Sequence, residues 1–83
     1  MELRQLQTFT QIAQMQSFSR TAEMLGYSQS AVTVQIRQLE NELGKRLFDR
    51  TGKKVVLTPQ GEEFLEHANR ILYDVHQAKA SMN

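Results

Sequence analysis

Between residues 28 and 43 the apolar positions Val32, Ile36, Leu39 and Leu43 recur at four, three and four, which places them on one stripe of a 3.6-residue helix. Ser28 stands before the stripe as an N-cap and Gly44 follows it as a stop. Gln29, Ser30, Thr33, Val34 and Arg37 are left facing outward. Upstream, Leu3, Leu6, Phe9, Ile12 and Ala13 predict a first amphipathic helix running to about Gln16, after which Phe18 returns to the core. Between these two lies Ser19–Gly26, a short helix with Ser19 as its N-cap and a glycine whose freedom at positive φ closes it. Ala22 then supplies a small residue where two helices cross, Gly26 the turn, and Val32 an anchor in the next helix. That is a helix-turn-helix layout.

Beyond Gly44 the period changes. Leu47-Phe48-Asp49-Arg50 and Val55-Val56-Leu57 are short β-prone runs around the polar turn Thr51-Gly52-Lys53-Lys54, and predict a small hairpin, the wing of a winged helix. Thr58-Pro59-Gln60-Gly61-Glu62-Glu63 is a helix start, with Thr58 as cap, proline at the first position and acidic residues at the positive end of the dipole. Phe64, Ala68, Ile71, Val75, Ala78 and Met82 then recur at heptad-like intervals, widened by Leu65 and Leu72. A helix over that span is ~36 Å long at 1.5 Å per residue, more than so small a domain covers. These eight residues are therefore expected to form a dimer interface, the alternative being a helix folded back on its own domain. The predicted fold is mainly α: a winged helix-turn-helix of three helices and a small β-hairpin wing over residues 1–58, then a long linker and dimerisation helix over residues 59–83.

Composition narrows the function. No apolar run approaches the ~20 residues of a membrane span, the first residues carry no secretory leader pattern, and the absence of cysteine excludes thiolate metal sites, so a cytoplasmic protein is expected. The net charge is only +1, but its distribution is uneven. Residues 28–58 hold Arg37, Lys45, Arg46, Arg50, Lys53 and Lys54 against Glu40, Glu42 and Asp49, a local +3, whereas residues 59–83 are at −2. Basic charge is gathered at the third helix and the wing, where a polyanion partner needs it.

The outward face of the third helix offers an amide, two hydroxyls, an exposed methyl pair and a guanidinium, which match the donors, acceptors and methyl groups of base edges in a major groove. Any amphipathic helix shows water a polar face, so this reading draws its weight from the neighbouring helix and the basic wing. His67 and His76 lie nine apart without a ligand constellation, and Glu62 and Glu63 diverge as helix neighbours. No metal site, phosphate loop, nucleophile elbow or acid/base pair is visible, so no enzymatic activity is expected.

The motifs Leu6-Gln7-Thr8-Phe9, Ser17-Phe18-Ser19 with Ala22 and Leu25, Ser28-Gln29-Ser30-Ala31-Val32-Thr33, Gln35-Ile36, Leu39-Glu40, Leu43-Gly44, Leu47-Phe48-Asp49-Arg50 and Leu57-Thr58-Pro59-Gln60-Gly61 together resemble the N-terminal DNA-binding domain of a LysR-type transcriptional regulator. The resemblance covers nearly the whole chain. It implies base readout by Gln29, Ser30, Thr33, Val34 and Arg37, with Arg50 near the minor groove or backbone. Further backbone or wing contacts are expected from Ser17, Ser19, Arg20, Thr21, Ser28, Lys53, Lys54 and Thr58, with Ser28 more a cap than a reader. It also implies binding of double-stranded DNA at a dyad-symmetric promoter site by a homodimer or dimer of dimers. A small-molecule effector would act on a further C-terminal domain, with no cofactor in this chain.

Two departures from the family pattern bear on sequence preference. Ser30 stands where proline is frequent and regains an N–H and a hydroxyl, and Val34 stands where many members carry arginine, exchanging a cation for a group suited to a thymine methyl. The competing reading is a winged-helix protein-interaction module that docks through its long helix.

Overall fold

The computed structural model describes residues 1–52 and 54–83. Its elements follow in the order α1 (Leu3–Met15), α2 (Phe18–Leu25), α3 (Gln29–Leu43), β1 (Phe48–Asp49), β2 (Val56–Leu57) and α4 (Pro59–Ser81). The strands pair antiparallel, Phe48 opposite Leu57 and Asp49 opposite Val56. This is the winged helix-turn-helix that the hydrophobic pattern predicts, with wing strands of only two residues each.

Two local expectations are corrected. The N-cap of α2 is Ser17 rather than Ser19: Ser17 Oγ accepts the Arg20 N–H at 3.0 Å, and Ser19 lies within the first turn. Both serines suit a cap, and the burial of Phe18 decides between them, because a helix that starts at Phe18 seats that ring in the core. Leu3, expected on the apolar stripe, is 44% exposed, while Gln5 and Thr8 are buried. The buried face of α1 is turned toward α3, where those two polar side chains find partners.

Phe9 is the centre of the core. Fully buried, its ring lies 5.2 Å from both Phe48 and Phe64, so one side chain of α1 ties β1 to α4. Phe18 meets Phe48 edge-on at 5.7 Å, which brings in α2, and Val32, Ile36 and Leu39 bury the stripe of α3 as expected. Between α2 and α3 the turn depends on Gly26 at φ 78°, with the N–H of Tyr27 reaching back to the Ala22 carbonyl at 2.9 Å. That αL position suits glycine.

The cap predicted for α4 is present, since Thr58 Oγ1 accepts the Gly61 N–H at 3.0 Å and Pro59 opens the helix. Gly61 is buried, and a Cβ there would overlap the carbonyl of Leu47. Its role is close approach of helix to chain, not a special dihedral. Gly61→Ala is expected to cost about 1–3 kcal/mol by overpacking. Denaturant unfolding checks this, and an unchanged midpoint would mean that α4 can shift outward freely.

The core runs across the 58/59 boundary, with Phe64, Leu65, Ile71 and Leu72 of α4 packed against it. Ala68 is 0% exposed, which removes it from the expected dimer surface: its methyl is already enclosed by the chain's own core. Ala78 and Met82 remain exposed and Val75 half-buried.

Candidate nucleic-acid interface

The N-terminus of α3 is organised by hydroxyls. Ser28 Oγ accepts the Ala31 N–H at 3.1 Å and lies 3.1 Å from Ser30 Oγ, so Ser28 is engaged as a cap and Ser30 stands beside it on the surface. Gln29, Ser30, Val34 and Arg37 are exposed and Thr33 is half-buried at the edge of the same face. Val34 is 47% exposed, an apolar side chain presented to solvent at the middle of that face.

Behind that face a polar seam fixes the helix. Thr8 Oγ1 donates to Gln35 Oε1 at 2.6 Å and Gln5 Nε2 donates to Gln38 Oε1 at 3.4 Å, joining α1 to α3. Buried polar groups that are paired in this way set rotation and register, because misalignment would strand them without partners. Sequence reasoning missed the seam, as glutamine and threonine on an amphipathic helix read as its wet side.

At the start of α2, Ser17 and Ser19 place their hydroxyls 3.2 Å apart and Arg20 is exposed, so these three can reach a partner. Thr21 cannot. It is 0% exposed with its hydroxyl turned to Met15 Sδ at 3.8 Å, because the helix begins at Phe18 and rotates Thr21 inward. Thr58 is likewise committed to structure, donating to the Arg46 carbonyl at 2.6 Å while it caps α4.

In the wing, Arg50 stacks its guanidinium 3.7 Å from the centroid of the Phe18 ring. Asp49 Oδ1 accepts both the N–H of Thr51 at 2.9 Å and its hydroxyl at 2.7 Å. Those two bonds, with Arg46 nearby adding to them, hold the Asp49 carboxyl below its ordinary value. Lys54 is exposed, and Lys53 lies outside the described residues. Glu40, which nothing in the sequence singled out for this role, straps the wing to α3: its Oε2 accepts the N–H groups of Leu47 at 2.7 Å and Phe48 at 3.4 Å.

Between α3 and the wing runs an open groove of about 590 Å³. Thr33 and Arg37 form its α3 wall, and Lys45, Arg46 and Arg50 its other cationic lining. In the sequence, Lys45 and Arg46 count only toward the local charge balance. Their position directly after the helix stop at Gly44 was the available signal.

Among the described residues, no group of three or more His, Cys, Asp or Glu side chains could hold a metal ion, and no helix is long and apolar enough to cross a membrane. A capped helix with an exposed polar face, packed on a short helix across a glycine turn and flanked by a cationic hairpin, defines a winged helix-turn-helix domain. Residues 3–62 match the family described as bacterial regulatory helix-turn-helix protein, lysR family, and the chain belongs to that family. It is 48% identical over 77 residues, 93% of its length, to the HTH-type transcriptional regulator CzcR of Bacillus subtilis, of which it covers 27%. The chain thus spans just over a quarter of that relative.

Solved structures agree. The BenM DNA-binding domain in complex with benA site 1 DNA superposes with a TM-score of 0.95 at 36% identity, covering 99% of this chain and 92% of that one. Vibrio fischeri DarR in complex with DNA does so with a TM-score of 0.94 at 30% identity, covering 99% of this chain and 28% of that one. The family is one of transcriptional regulators, not enzymes.

Proposed function

We propose that this chain is the sequence-specific double-stranded DNA-binding module of a LysR-type transcriptional regulator, acting in the cytoplasm as a homodimer on dyad-symmetric sites. α3 lies in the major groove, with Gln29, Ser30, Thr33, Val34 and Arg37 toward the base edges. The observation that carries this reading is the contrast between the two sides of α3: a varied polar outer face open to solvent, and a rear fixed by partly buried hydrogen bonds from Gln5 and Thr8 of α1. A helix held this way presents its readers at one rotation, which base recognition requires and a merely solvated face does not. The DNA complexes of BenM and DarR, which share the fold, support it.

Ser17, Ser19 and Arg20 at the head of α2, with Lys54 in the wing, are placed for phosphate contacts that set register. Val34 brings a methyl pair suited to thymine. The response to a small-molecule effector belongs to parts of the regulator other than these residues.

Arg37→Ala tests the assignment. Titrations against a bound duplex and its single-base variants are expected to show a loss of about 1–3 kcal/mol and relaxed preference at one base pair. An equal loss on every sequence would reduce Arg37 to a phosphate contact, and no loss would remove α3 from the interface.

A further inference from the structure

Thr8 does something for α3 that the apolar core does not. The buried stripe of Val32, Ile36 and Leu39 holds α3 against the core, but apolar attraction is non-directional and tolerates a small turn of the helix about its own axis. At a radius of about 5–6 Å, a turn of about 10° carries the tips of the outward side chains by about 1 Å. That displacement takes a hydrogen bond from its optimum at about 2.9 Å to the edge of its range or past it. A helix that discriminates bases therefore needs a directional constraint on its rotation.

Two side chains of α1 supply one. Thr8 is 0% exposed, and its Oγ1 donates to Gln35 Oε1 at 2.6 Å. Gln5 donates from Nε2 to Gln38 Oε1 at 3.4 Å, while its own Oε1 accepts the Glu2 N–H at 3.0 Å. Gln35 and Gln38, three apart, share one flank of α3. The Thr8 bond is the shorter, and it is the stiffer too, since one restricted torsion separates the hydroxyl from the backbone of α1. It also acts at the middle of the reading face, because Gln35 directly follows Val34. No buried side-chain nitrogen or oxygen among the described residues lacks a partner, and a turn of α3 that parted Gln35 from Thr8 would leave a buried hydroxyl without one.

We propose, resting on the base-reading function above, that Thr8 sets DNA specificity without touching DNA: it is a positioning residue that acts through Gln35 to fix the rotation at which α3 presents Gln29, Ser30, Thr33, Val34 and Arg37. One rotation serves every reader, so its loss blurs several base pairs of a half-site together. Ser17, Ser19 and Arg20 on α2 and Lys54 in the wing do not ride on α3, and contacts from them keep their strength.

The test compares the parent, Thr8→Val and Thr8→Ser on a selected duplex, on its single-base variants and on an unrelated duplex, with folding checked by circular dichroism. Thr8→Val keeps the shape of the side chain and removes the hydroxyl. It is expected to weaken the selected duplex by about tenfold, the size of one mismatched base pair, and to leave the unrelated duplex unchanged. The penalties of the single-base variants should shrink at several positions at once, unlike the one position expected of Arg37→Ala. Thr8→Ser, which keeps the hydroxyl, should restore both the affinity and the penalties. Gln35→Met removes the acceptor from the half-buried side of the pair, should give the same pattern and should add nothing to Thr8→Val; it carries the test if Thr8→Val fails to fold.

A folded Thr8→Val with the full discrimination of the parent overturns the proposal. So does one that weakens the selected and the unrelated duplex equally, which would make Thr8 part of the core alone. A Gln35→Met variant relaxed at a single base pair overturns it as well, and makes Gln35 a reader in its own right. The parent is measured first: a parent chain without sequence preference overturns the base-reading function itself, whereas each of the other results leaves that function standing.

Discussion

Phe9→Ala is expected to cost about 3–5 kcal/mol and to leave much of the protein unfolded at physiological temperature. The ring is fully buried and meets Phe48 and Phe64 at 5.2 Å, so its removal opens a cavity at the junction of α1, the wing and α4. A domain this small has little surplus stability, roughly 5 kcal/mol on the low side of the usual range. The midpoint of thermal unfolding should fall by more than about 12 °C. DNA binding should be lost in parallel on every sequence, unlike the selective loss expected of Arg37→Ala. A change of less than about 1 kcal/mol would show that the four rings are not the keystone of the packing.

Val75→Glu is expected to separate the proposed dimer while leaving the domain folded. α4 has 23 residues, about 34 Å at 1.5 Å per residue, and its first half is spent on the core of its own chain. The second half continues the apolar stripe through Val75, Ala78 and Met82, with Met82 82% and Tyr73 61% exposed. Among the described residues Ala78 and Met82 are left exposed and Val75 only half-buried, and a carboxylate at position 75 would have to be desolvated if a second helix covered the stripe. Sedimentation should report a monomer, circular dichroism an unchanged helix content, and affinity for a full dyad site a fall of roughly a hundredfold or more as linked half-sites become independent. A dimer that survives the substitution would place the interface elsewhere.

Element order, the cap at Ser28, the stop at Gly44 and the start at Thr58-Pro59 were all legible, because each depends on a residue's own backbone or on a periodicity within one helix. What escaped depends on partners far along the chain. Ser17 and Ser19 cap equally well in isolation, and only the burial of Phe18 in a core supplied by Phe48 selects the first. Gln5 and Thr8 read as surface until Gln35 and Gln38, about thirty residues on, pair with them. Gly61 stands in a motif, but its physical reason, the Leu47 carbonyl, lies in the approach to the wing.

The candidate site divides in the same way. The outer face of α3 followed from helix period alone, and Gln29, Ser30, Val34 and Arg37 are exposed where that period puts them. Thr21 and Ala68 were misplaced because their burial depends on how α2 and α4 are rotated against other elements. Lys45 and Arg46 belong to no periodic pattern, and became candidates only through the groove they line with Arg50.

Selection of bound duplexes from a random pool tests sequence-specific recognition by α3 most directly. The expected result is enrichment of dyad-related half-sites with centres one helical turn apart, ~34 Å, or a multiple of it, with a thymine preference in each half-site that Val34→Ala weakens. A pool that returns from repeated rounds with no enriched sequence, although the chain is folded and retains duplex, would contradict it.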